Sequence, residues 1–129
     1  MINDFDITAI EDEVIEIVRN LRVSDKVYPN RPKMAEPAKD FVVVRTVGGV
    51  KDLAAYAECV IYVDLFAKDI EFIKNKKKLS AMYQKLREGF PAATERLLFD
   101  IEWNILGDTP DDFGFHARLI RIKTTIKAI

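Results

Sequence analysis

"AECVIYVDLFAKDIEFIKNKKKLSAMYQKL", residues 57–86, changes its repeat in the middle. In its first half Ala57, Cys59, Ile61, Val63 and Leu65 recur at every second position, the pattern of a strand with one buried face. Glu58, Val60, Tyr62, Asp64 and Phe66 share the other face, which is mixed and reads as only partly covered. From Asp69, a residue able to cap a helix, Ile70, Ile73, Leu79, Met82, Tyr83, Leu86 and Phe90 follow at helical steps, and Gly89 and Pro91 end the run. The spacing predicts a strand over about 57–67 passing almost directly into a helix of roughly twenty residues, about 30 Å long, which must fold back over the sheet.

Upstream, "DFVVVRTV" predicts a strand from about Phe41 to Val47, with Gly48 and Gly49 supplying the free dihedrals of a bend. Residues 23–39, "VSDKVYPNRPKMAEPAK", contain Pro29, Pro32 and Pro37. Each removes a backbone donor and pushes its predecessor toward extended geometry, so a long exposed loop is expected, with a short extended piece near Val27 and Tyr28. Before it, "TAIE" fits a capping box from Thr8 to Glu11, and Ile10, Val14, Ile17, Val18 and Leu21 form one apolar stripe. Acids early and bases late in this segment match the helix dipole, which gives a helix over about 8–22.

Downstream, Leu97, Phe99, Ile101, Trp103 and Ile105 alternate with Leu98, Asp100, Glu102 and Asn104, a one-sided strand. In "FGFHARLIRIKTTIK" the apolar set begins on Phe113, Phe115, Ala117 and Leu119 and then moves to Ile120, Ile122 and Ile126. A continuous strand facing one core needs a bulge near Arg118 to Ile120 to absorb that slip. The connector "GDTPDD" joins the two strands as an antiparallel hairpin with a long loop. Helix, strand, strand, helix, strand, strand make an α+β domain: a largely antiparallel sheet of four or more strands with two main helices packed on one face. Val14, Ile17, Ile61, Val63, Met82, Leu86, Phe99 and Trp103 are the expected core.

With 129 residues the chain is read as one domain, 1–129. Lys plus Arg is 20 and Asp plus Glu is 21, a balance that argues against a protein whose main task is coating nucleic acid. Cys59 is the single cysteine, so no internal disulfide forms. The first residues lack a basic and then apolar leader, and no run of eighteen apolar residues occurs, so a cytoplasmic protein without a membrane span is expected.

His116 is the single histidine, which excludes a His-based metal cluster, and it lies far in sequence from Cys59. Asp108, Asp111 and Asp112 carry hard-cation oxygens but lack the spacing and distal Glu of a calcium loop, so a solvated turn is the plainer reading. Glu58, Asp64, Asp100 and Glu102 project from strands; Asp64 and Glu102 are the pair most expected to meet. Lys74 to Lys78, "KNKKK", wraps its lysines round a helix, leaving Lys76 or Lys77 over the sheet. No catalytic residue, cofactor or metal is expected.

The element order, with the phrase "VIYVDLFAKD" at its centre, resembles the tail terminator or tail completion proteins of long-tailed bacteriophages. The resemblance implies a small α+β subunit of a hexameric ring that caps the tail tube and joins it to the head, in contact with tail tube or head-completion proteins. It carries no catalytic residues, and the charge balance with a lysine run lacking interleaved aromatics leaves no sequence-specific nucleic acid contact expected. Two arms of opposite sign suit a contact between neighbouring copies: Lys26, Arg31 and Lys33 on the proline loop, and Asp108, Asp111 and Asp112 on the hairpin, with Lys76 and Lys77 as further contact candidates. A stand-alone cytoplasmic interaction module is the alternative.

Overall fold

The computed structural model describes residues 7–30, 39–53, 56–103 and 107–127. The chain runs α1 (Ile7–Asn20), β1 (Val27–Tyr28), β2 (Asp40–Asp52), β3 (Tyr56–Lys68), α2 (Lys76–Gly89), β4 (Leu97–Glu102), β5 (Thr109–Pro110) and β6 (Phe115–Lys127). The strands form one sheet in the order β1-β2-β3-β6-β4, with β5 also paired to β6. Every pairing is antiparallel except β1 with β2, which run parallel. This is the α+β architecture the periodicities predict.

Both helices pack on one face. Ile10, Val14 and Val18 of α1 and Leu79, Met82 and Leu86 of α2 share a cluster with Val42, Ile61, Val63, Leu65, Ile120 and Ile122. Of the expected core, Val14, Ile61, Val63, Met82 and Leu86 are buried, whereas Ile17, Phe99 and Trp103 are half-buried. On α1, Ile15 is buried in place of Ile17. Phe99 lies on the sheet's edge strand β4 and Trp103 just past its end, where a ring meets the core from one side: Phe99 packs edge-on to Phe90 at 5.0 Å and Trp103 to Tyr83 at 5.6 Å.

Four local expectations are corrected. The β3–β6 register runs unbroken from Tyr56 opposite Lys127 to Lys68 opposite Phe115, so β6 has no bulge at Arg118 to Ile120. Its apolar set changes parity because both faces of the sheet are buried: Phe115 and Ala117 join Phe41, Val43 and Phe66 on the face away from the helices. The register shift lies instead in β2, between Val47 and Lys51, where Gly48 takes φ +75; β2 thus continues past the glycines rather than bending off at them.

The long basic helix is also shorter than expected. α2 spans 14 residues, and its cap is Asn75, whose Oδ1 accepts from the Lys78 amide at 3.1 Å. Asp69 does not cap it: the Asp69 amide donates to the Gly114 carbonyl at 2.8 Å. Ile70 and Ile73 exchange backbone hydrogen bonds of 2.9 Å across Glu71 and Phe72, which both have positive φ (52 and 68), the geometry of a two-residue hairpin turn. Finally, Thr8 lies inside α1 rather than at its cap, and the Glu11 carboxylate accepts from the Thr46 amide at 3.0 Å and from the Thr46 hydroxyl. Tertiary pairing with β2 draws Glu11 away from the helix end.

Candidate functional site

The start of β2, the end of β3, the start of β6 and the entry to α2 converge at one end of the sheet. There Arg118 grips Asp108 with two hydrogen bonds, Nε to Oδ1 at 2.7 Å and Nη2 to Oδ2 at 3.0 Å, and Lys74 Nζ adds a third contact at 3.2 Å. The Asp108 side chain is only 6% exposed. Arg118's hydrogen bond, reinforced by Lys74, holds the Asp108 carboxyl below the usual carboxylate range although burial opposes it, and in turn raises Arg118. His116 Nδ1 lies 2.7 Å from Asp69 Oδ1, and Lys78 Nζ lies 3.2 Å from Asp40 Oδ2, whose other oxygen accepts from Ser24. Asp40, Asp69, Lys78 and Asn75 border a cleft of about 360 Å³.

Directly above this ionic cluster stands the turn at Ile70–Ile73. Phe72 is 100% exposed, Ile73 70% and Ile70 60%. The Asp69–Gly114 backbone bond brings the neighbouring Phe113, 60% exposed, to the same end. Large apolar residues thus gather at one projecting point, with both central backbone positions of the turn in the left-handed region at non-glycine residues, and exposed apolar patches of this kind are where partners commonly dock. Sequence reasoning assigned Ile70 and Ile73 to a buried helical stripe and so missed it; the signal present in the sequence is that Asp69 to Asn75 offers two capping candidates, of which the later one is used.

The other predicted contact residues have separate fates. Lys26 is exposed at the start of β1, Lys76 and Lys77 are exposed on the first turn of α2, and Asp112 is exposed on the hairpin loop. Asp111 ties its own loop, its Oδ1 accepting from the Phe113 and Phe115 amides at 2.8 and 3.0 Å. Asp108 is spent on Arg118 and Lys74 within the chain, which takes it out of the expected acidic arm. Arg31 and Lys33 lie outside the described residues.

Asp64 and Glu102 do not meet. They point to the same face, but β6 runs between their strands and each has its own arginine: Arg45 Nε reaches Asp64 Oδ2 at 2.6 Å, and Arg121 Nη1 reaches Glu102 Oε1 at 2.5 Å. Asp64 is 5% exposed, and burial pushes its carboxyl up against the lowering effect of Arg45. Cys59 is buried among apolar neighbours, and that burial, aided by Glu11, pushes its thiol up to about 11, far from a reactive thiolate. Among the described residues no group of three or more His, Cys, Asp or Glu is placed to hold a metal ion, and no helix is long and apolar enough to cross a membrane. No protein-family model matches the chain, and no curated protein matches it.

Proposed function

We propose that this chain is a structural subunit of the tail terminator type: it associates with copies of itself into a ring, contacts a phage tail tube or head-completion protein, works in the cytoplasm during assembly, and performs no catalysis. The observation that carries this reading is the projecting Ile70–Ile73 turn, where Phe72 is fully exposed and Ile70 and Ile73 are mostly exposed. Two further features support it. The deeply placed acids, Asp64 and Asp108, are each held by an arginine of the same chain, as suits a rigid block rather than a reactive centre. Parts of the sheet's border are also occupied: β1 covers the start of β2, Glu11 takes the Thr46 amide further along β2, and Ala92 O accepts from the Phe99 amide of β4.

The test is sedimentation velocity across a concentration series, alone and mixed with the tail tube protein of a long-tailed phage, with negative-stain microscopy of the heaviest species. Closed rings are expected. A chain that stays monomeric in both settings overturns the reading.

A further inference from the structure

Resting on that reading, we propose that the Ile70–Ile73 turn is the plug of a head-to-tail contact, and that its socket on the next copy of this chain is the groove beside the β2 bulge at the opposite end of the sheet. The plug is held stiffly by the reciprocal 2.9 Å backbone bonds of Ile70 and Ile73. An Asn-Gly pair would form the same turn without strain, yet Glu71 and Phe72 occupy its two left-handed positions. What those residues add is an acidic apex and a fully exposed aromatic ring.

The socket has the matching chemistry. It encloses about 410 Å³, with Val47 and Val60 as its apolar lining and Lys51 and Lys123 at its walls. Val47 is 45% exposed, and a Cβ placed on Gly48 or Gly49 would meet nothing within 4 Å, so the bulge leaves open space. Lys123 is partly matched by Glu58 at 3.6 Å, while Lys51 stands exposed at the rim to receive Glu71. Phe72 then lies against Val47 and Val60.

Position selects a second copy as the occupant. The plug follows the last residue of β3 and the socket includes residues near its first, about 30 Å apart at roughly 3.3 Å per residue. Two different patches at opposite ends of one subunit make a heterologous contact that repeats and closes into a ring when the rotation allows.

Sedimentation velocity on the full chain and its variants, with circular dichroism as the check on folding, decides the matter. Phe72→Asp is expected to weaken association about thirtyfold or more, since a central aromatic anchor dominates such contacts. Glu71→Lys is expected to weaken it and Glu71→Lys with Lys51→Glu to restore it. In a Cys59→Ala background, Phe72→Cys with Val47→Cys is expected to form a disulfide-linked ladder that neither single variant forms. Rings that persist in Phe72→Asp, together with no ladder from the double-cysteine variant, overturn the plug and socket while leaving the ring reading intact. A monomer at every concentration, with and without tail tube protein, overturns both. Flotation of the monomer with anionic vesicles, lost in Phe72→Asp, assigns the turn to a bilayer and overturns the socket.

Discussion

The two faces of the sheet use the same strands to different ends. Under α1 and α2 the face is aliphatic along its length, from Ile126 and Ala57 to Val42 and Leu65. The opposite face divides: Phe41 stacks on Phe66 at 4.5 Å and meets Phe115 edge-on at 5.2 Å at one end, while Arg45–Asp64, Arg121–Glu102 and Lys123–Glu58 pairs occupy the rest. Asp64 sits where the two halves meet, with Oδ2 on Arg45 and Oδ1 buried and, among the described residues, without a hydrogen-bond partner. A strand face turned away from the helices thus still builds a core where aromatic rings meet, and turns to ion pairs where they do not.

Four measurements test this division of the sheet. If the aromatic end is a true second core, Phe41→Ala costs about 3–5 kcal/mol, as much as Leu86→Ala on the helix face at about 2–5 kcal/mol, both read from urea unfolding. A cost below about 1 kcal/mol for Phe41→Ala alone reduces the second face to a surface cluster.

Next comes the contrast between the two buried acids. Asp108→Asn is expected to cost about 1–3 kcal/mol at pH 7, because Arg118 and Lys74 lose a charged partner. With the folded pKa lowered, this contribution is present above the ordinary carboxylate pKa and is lost as pH falls through the folded one. The penalty of Asp108→Asn should therefore shrink under acid; a penalty that is constant down to pH 2 removes the charge from the explanation.

Asp64 has the opposite sign. With its folded pKa raised, the folded state holds the proton more tightly than the unfolded one, so stability falls as pH rises through the window between the two. Asp64→Asn is expected to gain of order 1 kcal/mol at pH 7, where the uncompensated buried oxygen no longer carries charge, and to gain little near pH 4. Thermal melts at both pH values check this, and destabilisation at pH 7 would show that the Arg45 bond outweighs burial.

The smallest effect belongs to the apolar residues that bury nothing. Phe72→Ser is expected to leave the monomer's stability within about 0.5 kcal/mol, and Glu71→Asn with Phe72→Gly to raise it by about 0.5–1 kcal/mol as the turn loses its strain. Loss of several kcal/mol in Phe72→Ser would mean that the ring is packed in the fold after all.

The residues at 57–86 show how far local pattern reaches. The two-residue repeat of Ala57 to Leu65 located β3 and its helix-covered face, because alternation is a property of the extended backbone itself. The helical steps of Leu79, Met82, Tyr83 and Leu86 likewise located the buried side of α2, and the run "RLLFDIEWNIL" located β4. Local pattern did not separate Ile70 and Ile73 from that helix, since two isoleucines three apart fit a helical stripe and a two-residue turn equally well; the choice was made by the Asp69–Gly114 bond and the Asn75 cap. The parity change of β6 was likewise visible in sequence, but whether it meant a bulge or two covered faces depended on Phe41 and Phe66 arriving from other strands. Charge shows the same division. Asp108, Asp64 and Glu102 were legible as acids on a loop and on strands, but their arginine partners lie 10 to 19 residues away and were chosen by strand order and loop path, which tertiary pairing alone decides. Sequence by itself determined which segments are helix or strand and one buried side of each, because those follow from backbone periodicity and the transfer of apolar side chains from water. Tertiary structure decided which acids are silenced, which glycines open a groove and which apolar residues remain outside, because each of those depends on neighbours far away in the chain.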